Sequence, residues 1–261
     1  MRILLTSSAI LLALPTLAVA QEAVDLEPIL VTGQSRGYVA LNSVTATKTD
    51  TPLLNVPQSV NVITREQLDD QALHSLGDVL HYVPGTTVGQ GEGNRDQVTL
   101  RGQNTTADFF LDGVRDDTQY FRGLYNVERV EVLKGPYALI FGRGGGGGII
   151  NRVQKTPSAG GAFASGRVSA NSFGAWDVSA DANTPVSDMA AFRINAVYEN
   201  LDNHRDAFEG ERYAVNPHVA MDFGTGWQAG LSYEYVNDDR VVDRGIPSLN
   251  SAPLTGYRDQ F

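Results

Sequence analysis

Apolar and polar residues alternate along the second half of the chain. In residues 176–183 every second position is apolar, and the positions between them are Asp, Ser or Asn. The same period of two recurs in residues 192–199, 212–223 and 227–235, and more weakly in 163–171. Because successive side chains of a β-strand point to opposite faces, this pattern predicts five long strands, each with one apolar and one polar face.

Two architectures fit such strands, a soluble β-sandwich and a transmembrane β-barrel. Strand length, aromatic residues near the strand ends and connections of alternating length favour the barrel. The short connections are 184–188 and 224–226, whereas 202–211 and the stretch from 237 are long and charged. The aromatic residues are Trp176, Tyr198, Tyr213, Phe223, Trp227 and Tyr235. Since five strands cannot close a barrel and lipid does not tolerate open edges, we expect a truncated barrel that lacks most of its strands.

Residues 51–157 have the mixed pattern of a compact α+β domain. Residues 59–63 alternate like a half-buried strand, and Thr64 opens a capping-box sequence for a short helix. After Ser75, the apolar residues at 76, 79, 80 and 83 have helical spacing. Further strands are predicted at 98–101, 109–111 and 129–132, with a tight turn at Asp112-Gly113.

A glycine-rich run occupies residues 142–148. A phosphate-binding loop of this kind ends in Lys followed by Ser or Thr, whereas here Ile149 follows. A dinucleotide fingerprint precedes a helix, but residues 149–153 have the composition of a strand. The run therefore indicates close backbone approach rather than nucleotide binding.

The N-terminus carries an export signal. Arg2, an apolar stretch to Leu17 and the small residues 18–20 predict a signal peptide over residues 1–20, cleaved before Gln21. Residues 21–50 are poor in large apolar side chains except for the β-prone segment EPILVTG at 27–33. That segment is either a strand that adds to the sheet of another protein or part of a disordered linker.

Composition excludes several functions. The net charge of -10 argues against a nucleic-acid partner, and the absence of cysteine excludes disulfides and thiolate metal sites. His74, His81, His204 and His218 have no metal-ligand spacing. The sequence contains no HExxH and no paired carboxylates in a recognisable catalytic frame, so we expect no enzyme and no resident metal.

Several segments together resemble the TonB-dependent outer-membrane siderophore receptors. They are EPILVTG at 27–33, VPQSVNVIT at 56–64, VTLRG at 98–102, FFLDGVRDD at 109–117, NVERVEVLKGP at 126–136 and FGRGGGGGIINRVQKTP at 141–157. Each segment is weak evidence alone, but their order matches that of the family. The resemblance implies a signal peptide, a TonB box with a linker at 21–50, a plug domain at 51–157 and barrel strands from 158 to 261.

The resemblance also implies a function. The plug sits inside the barrel in the outer membrane, and the siderophore carries the iron, so no cofactor is expected. The energy-transducing protein TonB pairs with the TonB box, formed by Glu27, Pro28, Ile29, Leu30, Val31, Thr32 and Gly33. The alternative is a receptor for another nutrient, such as a vitamin or a sugar. DRGIPS at 243–248 leans toward a catecholate-type siderophore.

The positions of these motifs predict site residues. Ligand-facing loops are expected at Gln103, Asn104 and Thr105 and at Gln119, Tyr120, Phe121 and Arg122, with 89–94 as a third candidate. The alternative for Tyr120 and Phe121 is burial against the barrel wall. Arg101 and Glu131 are expected to form ion pairs between plug and wall, the alternative being ordinary solvated charge.

Overall fold

The structure is a computed structural model that describes residues 37–135, 138–142, 146–224 and 226–257, with the backbone alone at 138–139. The predicted signal peptide and TonB box lie outside these residues. Among the described residues, no helix combines the length and the hydropathy needed to cross a membrane.

Strands dominate the described residues, and we number them in chain order. They are β1 (Asn42–Ser43), β2 (Thr51–Pro52), β3 (Ser59–Thr64), β4 (Thr86–Val88), β5 (Val98–Leu100), β6 (Gln103–Thr105), β7 (Phe109–Leu111), β8 (Val114–Arg115), β9 (Val127–Lys134), β10 (Gly148–Gln154), β11 (Phe163–Ala170), β12 (Trp176–Ser187), β13 (Ala190–Asp202), β14 (Glu209–Asp222), β15 (Gln228–Ser232), β16 (Tyr235–Arg240), β17 (Ser248–Leu249) and β18 (Ala252–Pro253). The helices are α1 (Arg65–Asp70), α2 (Leu76–His81) and α3 (Ala138–Phe141), and 3-10 turns occupy Leu53–Asn55 and Gly91–Gly93.

The plug region, which we define as residues 37–157, is built on a five-stranded mixed sheet. Its order is β3-β9-β10-β7-β8, and only β10 and β7 run parallel. A smaller antiparallel sheet contains β4, β5 and β6. The predicted turn joins β7 to β8, where Asp112 (φ 49°) and Gly113 (φ 80°) both take the left-handed conformation of a two-residue hairpin.

Both sequence-predicted helix starts are confirmed. The Thr64 hydroxyl accepts a hydrogen bond from the backbone N–H of Gln67, and Ser75 forms a complete capping box with Asp78. The apolar residues of α2 then face the sheet, where Leu76 and Val79 are fully buried. The core is therefore the layer between the two short helices and β9, β10, β5 and β7.

The end of the glycine run lies where two pieces of backbone meet. A side chain at Gly147 would collide with the backbone of Leu100, and one at Gly148 would collide with that of Leu133. The φ of Gly148 is 143°. Close backbone approach therefore accounts for these two glycines, as the sequence predicts.

The wall strands, which we define as β11 to β16, form a second, antiparallel sheet. It runs in sequence order from β11 to β14, and both β15 and β16 pair with β14 in one continuous register. The break between β15 and β16 occurs where the Asn216 side chain donates to the Tyr233 carbonyl oxygen, at 2.8 Å. Five long strands are thus present, as predicted.

Three wall strands extend beyond their predicted bounds. Because β12 and β13 continue to Ser187 and Asp202, the turn between them shrinks to residues 188–189 and the long connection to 203–208. Backbone pairing continues past the apolar stretch because ladder hydrogen bonds do not require apolar side chains. Asp202 and Glu209, both polar, still face each other in register.

Candidate functional site: the plug apex and its wall contacts

The polar faces of the wall strands are buried against the plug region, and their apolar faces are exposed. Asn195 and Asn216 have no exposed surface, whereas Trp227 and Leu231 are 76% and 75% exposed. This is the inverse of a water-soluble sheet and matches a strand with lipid on one side and a polar filling on the other. The predicted assignment of the two faces is confirmed.

One ion cluster joins the plug region to the wall near the end of β10. The Lys155 ammonium lies 3.0 Å from the Asp181 carboxylate, which also binds the Arg193 guanidinium at 2.7 Å. Burial lowers the pKa of Lys155, and the attraction of Asp181 acts in the opposite direction. Arg193 also donates to the Thr156 carbonyl oxygen at 2.9 Å, so the cluster binds plug side chain and backbone together.

Two further contacts hold the plug region to other wall strands. The Glu234 carboxylate accepts hydrogen bonds from the Tyr125 hydroxyl at 2.9 Å and from the Asn126 amide at 3.1 Å. The Arg167 guanidinium lies 3.2 Å from the Asp69 carboxylate and 3.3 Å from His74 Nδ1. Each contact joins one polar inward side chain to a loop or helix of the plug region.

The apex of the plug region is the end formed by residues 89–97, 103–106 and 116–122. It lies at the same end of the wall strands as the connection 203–208, because β16 pairs there with the start of β14. Residues 95–97 join its segments. Arg95 donates to the Gln119 side chain, Gln97 donates to Asn104 at 3.0 Å, and the backbone N–H of Asp96 donates to the Tyr120 carbonyl oxygen at 3.3 Å.

Below this surface, a buried charge network fixes the apex. Arg122 is 2% exposed, and its guanidinium lies 3.0 Å from the Asp116 carboxylate and donates to the Asp116 and Thr118 carbonyl oxygens at 2.7 and 2.6 Å. Arg152, which is 1% exposed, binds the same Asp116 carboxylate at 2.7 Å. Asp96 also lies 3.5 Å from the Arg122 guanidinium, so two cations face two carboxylates and removal of any one of them leaves an uncompensated charge.

Tyr120 belongs to the same network. Its hydroxyl donates to Asp116 at 2.8 Å and accepts from Arg152 at 2.9 Å. The Arg122 guanidinium lies 4.6 Å from the Tyr120 ring centroid and 4.1 Å from that of Phe109. Burial raises the pKa of Tyr120, so it remains a neutral hydroxyl in this network.

The Arg122 guanidinium and the Tyr120 hydroxyl, predicted to face the ligand, are instead bound within the plug region. Their polar atoms bind inside the plug region, and burial there differs from the burial against the wall that was the alternative for Tyr120. Phe121 is half-buried beneath Arg240 of the wall, whose guanidinium lies 4.6 Å from its ring centroid. Gln119 is exposed, in a position open to a ligand.

Gln103, Asn104 and Thr105 form strand β6 rather than the predicted loop. Arg101 (φ 47°) and Gly102 (φ 81°) make a two-residue turn that folds β6 back onto β5. Gln103 and Asn104 are exposed, whereas the Thr105 hydroxyl accepts from the backbone N–H groups of residues 107 and 108.

The structure contradicts the predicted plug–wall ion pair of Glu131, whereas that of Arg101 stays a prediction. Glu131 is fully buried and binds within the plug region, to the Ser43 hydroxyl at 2.9 Å and to Arg129 at 2.6 Å. Arg101 is exposed on its turn and lies near Lys134, whose pKa is lowered by burial and by this like charge. Polar contacts from the plug to the wall are made instead by other described residues, among them Lys155, Tyr125, Asn126 and Asp69.

Sequence reasoning did not single out the residues that organise the apex, namely Arg95, Asp96, Asp116 and Arg152. Asp116 stands in the quoted segment FFLDGVRDD and Arg152 in the segment after the glycines. Nothing in either segment shows that the Arg152 guanidinium lies 2.7 Å from the Asp116 carboxylate. Among the described residues, no cluster of three or more His, Asp or Glu side chains could hold a metal ion.

A folded domain held by the polar face of a lipid-patterned sheet defines a class of protein, the plugged outer-membrane barrel. Comparison with known proteins gives the same class. Residues 52–149 match the TonB-dependent Receptor Plug Domain family. A probable TonB-dependent siderophore receptor of Acinetobacter baumannii, PiuA, is 32% identical over 95% of this chain and 34% of its own length. The catecholate siderophore receptor Fiu of Escherichia coli K12 is 34% identical over 78% of this chain and 28% of its own.

Solved structures give the same answer. The crystal structure of PiuA matches with a TM-score of 0.73 at 31% identity, over 83% of this chain and 31% of that one. The closed form of Fiu matches with a TM-score of 0.74 at 31% identity, over 80% and 30%. The chain belongs to the TonB-dependent receptors and spans about a third of the length of these curated relatives.

The fold class, a plug domain followed by strands of a transmembrane barrel, is confirmed. The outer-membrane location is confirmed as well, and the relatives are receptors rather than enzymes. The family match lies within the range 51–157 predicted for the plug.

Proposed function

We propose that the receptor carries a ferric siderophore across the outer membrane with energy supplied through TonB. The observation that carries this proposal is the burial of the polar wall faces against a separately folded plug. Such an interface can open to water at small cost, because both of its surfaces are polar. Three relatives are named as receptors for siderophores: PiuA, Fiu and the ferrioxamine receptor of Yersinia enterocolitica.

The exposed apex provides the ligand surface in this proposal. Gln119, Asn104 and Gln103 are exposed there, and Arg95 lies beside Gln119. Amide groups and a guanidinium can donate hydrogen bonds to the oxygen atoms of an anionic ferric siderophore. The siderophore supplies the iron ligands, so the iron is cargo and not a resident cofactor.

Iron uptake by iron-limited cells tests the substrate class. The full-length receptor is expressed in an outer-membrane host that lacks its own siderophore receptors, and uptake of radioactive iron is measured with one catecholate and one hydroxamate siderophore. We expect uptake of at least one of them, lost when TonB is deleted. Absence of uptake with both ferric siderophores would favour the alternative, a receptor for another nutrient such as a vitamin or a sugar.

The TonB box provides a second test. We propose that residues 27–33 add as a strand to TonB, where main-chain hydrogen bonds supply the affinity. Leu30→Pro removes one backbone donor and fixes φ, so it should abolish uptake while leaving siderophore binding intact. Loss of binding, or unchanged uptake, contradicts the role of this segment. Leu30→Ala, which keeps the backbone N–H, is the matched control.

The apex residues are tested by contrast with the buried network. Gln119→Ala and Asn104→Ala should raise the Kd of the ferric siderophore without changing the amount of folded receptor. Arg122→Ala should lower the amount of folded receptor instead, because it leaves the Asp96 carboxylate without its ion-pair partner and Asp116 with Arg152 alone. Normal folding of Arg122→Ala with a raised Kd would indicate that Arg122 contacts the ligand.

A further inference from the structure

A wall segment that follows β16 lies directly on one of the apex loops. The Gln90 side-chain amide donates to the main-chain carbonyl oxygen of Asp243 at 2.7 Å. The backbone of Asp243 also lies so close to Gly93 that a methyl group at Gly93 would collide with it. The contact therefore uses main-chain atoms of Asp243 and leaves its side chain for other partners.

The Asp243 side chain fixes its own segment. One carboxylate oxygen lies 3.3 Å from Nε of Arg205, in the connection between β13 and β14, and Arg205 is 3% exposed. The other oxygen accepts the backbone N–H of Gly245 at 2.8 Å. The carboxylate thus anchors the segment to the wall while the carbonyl oxygen binds the plug. The nearby Arg244–Glu92 pair at 3.2 Å is largely exposed and adds little.

The loop under Asp243 has an unfavourable backbone conformation. Gly91, Glu92 and Gly93 are consecutive residues with φ of 62°, 61° and 76°. A non-glycine residue such as Glu92 is rarely found in this region and persists there when its surroundings impose it. Gln97 holds one side of the loop, accepting the Gly91 backbone N–H at 3.0 Å, and Asp243 holds the other.

We propose that Asp243 is a positioning residue, which holds the plug loop Gln90–Gly93 from the wall in the shape that binds the ferric siderophore. This rests on the proposed function, because the loop is one of the three apex segments offered to the ligand. Asp243 itself need not touch the ligand. If its loss reduces the fraction of receptors with the correct loop shape to about a tenth, the apparent Kd rises about tenfold, while uptake at saturating siderophore is unchanged.

The contact can be broken from either side, with a matched control. Gly93→Ala acts from the plug, and Asp243→Ala acts from the wall. Gly102→Ala is the control, because Gly102 has nearly the same φ (81° against 76°) but no atom of the described residues lies within 4 Å of an added methyl group. Asp243→Asn retains an oxygen acceptor for Gly245 and should fall between wild type and Asp243→Ala.

Siderophore binding and uptake by the full-length receptor give the main readout. We expect Gly93→Ala and Asp243→Ala each to raise the Kd about tenfold. The double variant should have the same Kd as either single variant, because both changes remove the same contact. Gly102→Ala should bind like wild type. Additive effects, equal losses in Gly93→Ala and Gly102→Ala, or a lowered maximal uptake rate would overturn the proposal.

Hydrogen exchange of the purified receptor without siderophore gives a readout independent of the proposed function. Residues 89–97 should exchange faster in Gly93→Ala and Asp243→Ala, and at the wild-type rate in Gly102→Ala. Wild-type exchange in all variants overturns the proposal. Faster exchange in a receptor that binds no siderophore shows that the contact exists but that the proposed function, and with it the ligand role of the loop, is wrong.

Discussion

The plug region and the wall strands use similar alternating sequences and bury opposite faces. In β5, Val98 and Leu100 are buried in an apolar core, and the polar Thr99 between them is half-buried. In β13 and β14 the fully buried positions are Asn195 and Asn216, while Tyr198 and Tyr213 are exposed. Alternation alone therefore does not tell which face is inside, because the surrounding solvent decides it.

This difference has a consequence for the interface between the two regions. The plug encloses its own apolar core and meets the wall largely through polar contacts, among them those of Lys155, Tyr125, Asn126 and Asp69. A domain held by polar contacts can be displaced without exposing its core, and water can replace each contact that is lost. The strength of the interface then lies in a few buried ion pairs. The following predictions test this contrast between an apolar core inside the plug and polar contacts between plug and wall.

The largest effect is expected in the plug core. Phe109 is 1% exposed, so Phe109→Ala should lower the free energy of plug unfolding by about 3–5 kcal/mol. Leu231→Ala, at a wall position that is 75% exposed, is the comparison and should leave the plug unaffected. Hydrogen exchange of β9 and β10 in the purified receptor measures both. Equal losses in the two variants would show that plug and wall share one apolar core.

The next effect concerns the ion cluster between the regions. Asp181→Ala leaves the Lys155 and Arg193 cations without the carboxylate that they share. Because these groups are largely buried, the change should weaken the attachment of the plug to the wall by about 3 kcal/mol. We expect the plug to become sensitive to protease while the assembled wall remains intact. Asp188→Ala, at an exposed position in the next turn, is the control. Full protease resistance of Asp181→Ala would mean that the cluster does not hold the plug.

A third prediction separates the two solvents directly. Val168 on β11 and Val114 on β8 have similar exposure, 73% and 71%, but the first lies on the lipid-patterned face of the wall and the second lies on the plug, away from that face. Val168→Arg should cost about 2 kcal/mol and reduce the receptor assembled in the outer membrane, whereas Val114→Arg should be tolerated. Electrophoresis of unheated samples, in which closed barrels stay folded, measures assembly. Equal tolerance of both changes would remove the argument for lipid.

Much of the fold could be predicted from the sequence, because its signals are local. The alternation gave the wall strands, Ser75 and the apolar spacing after it gave α2, and Asp112-Gly113 gave a hairpin turn. The turn that creates β6 was missed because Arg101, a non-glycine residue with positive φ, carries no such local signal.

The site was less predictable, because its partners are distant in the chain. The buried Arg122 guanidinium binds the carboxylates of Asp96 and Asp116. Glu131 binds Ser43, which lies 88 positions earlier in the chain. A motif indicates that a charged residue stands in a given strand or loop. It does not indicate whether the partner of that residue lies in the plug, in the wall or in a ligand, since packing decides this.

The smallest effect is a pH dependence inside the plug. Burial raises the pKa of Asp96 above its ordinary value, although Arg122 donates to the carboxylate and acts to lower it. The folded plug then binds this proton more tightly than the unfolded chain does. The contribution of Asp96 to stability is therefore greatest below about pH 4 and is lost as the pH rises through the folded-state pKa.

Asp96→Asn should remove that slope, because the amide does not titrate and its oxygen can still accept the Arg122 backbone N–H, which lies 2.9 Å from Asp96 in the wild type. Hydrogen exchange of the core strands between pH 4 and 7 compares the two proteins after correction for the intrinsic exchange rate. Wild type should lose more stability than Asp96→Asn as the pH rises. Identical slopes of stability against pH in the two proteins would mean that Arg122 fully offsets the cost of burying the Asp96 carboxylate. The buried network of the plug would then resemble the Asp181 cluster, in which the carboxylate is paired with cations.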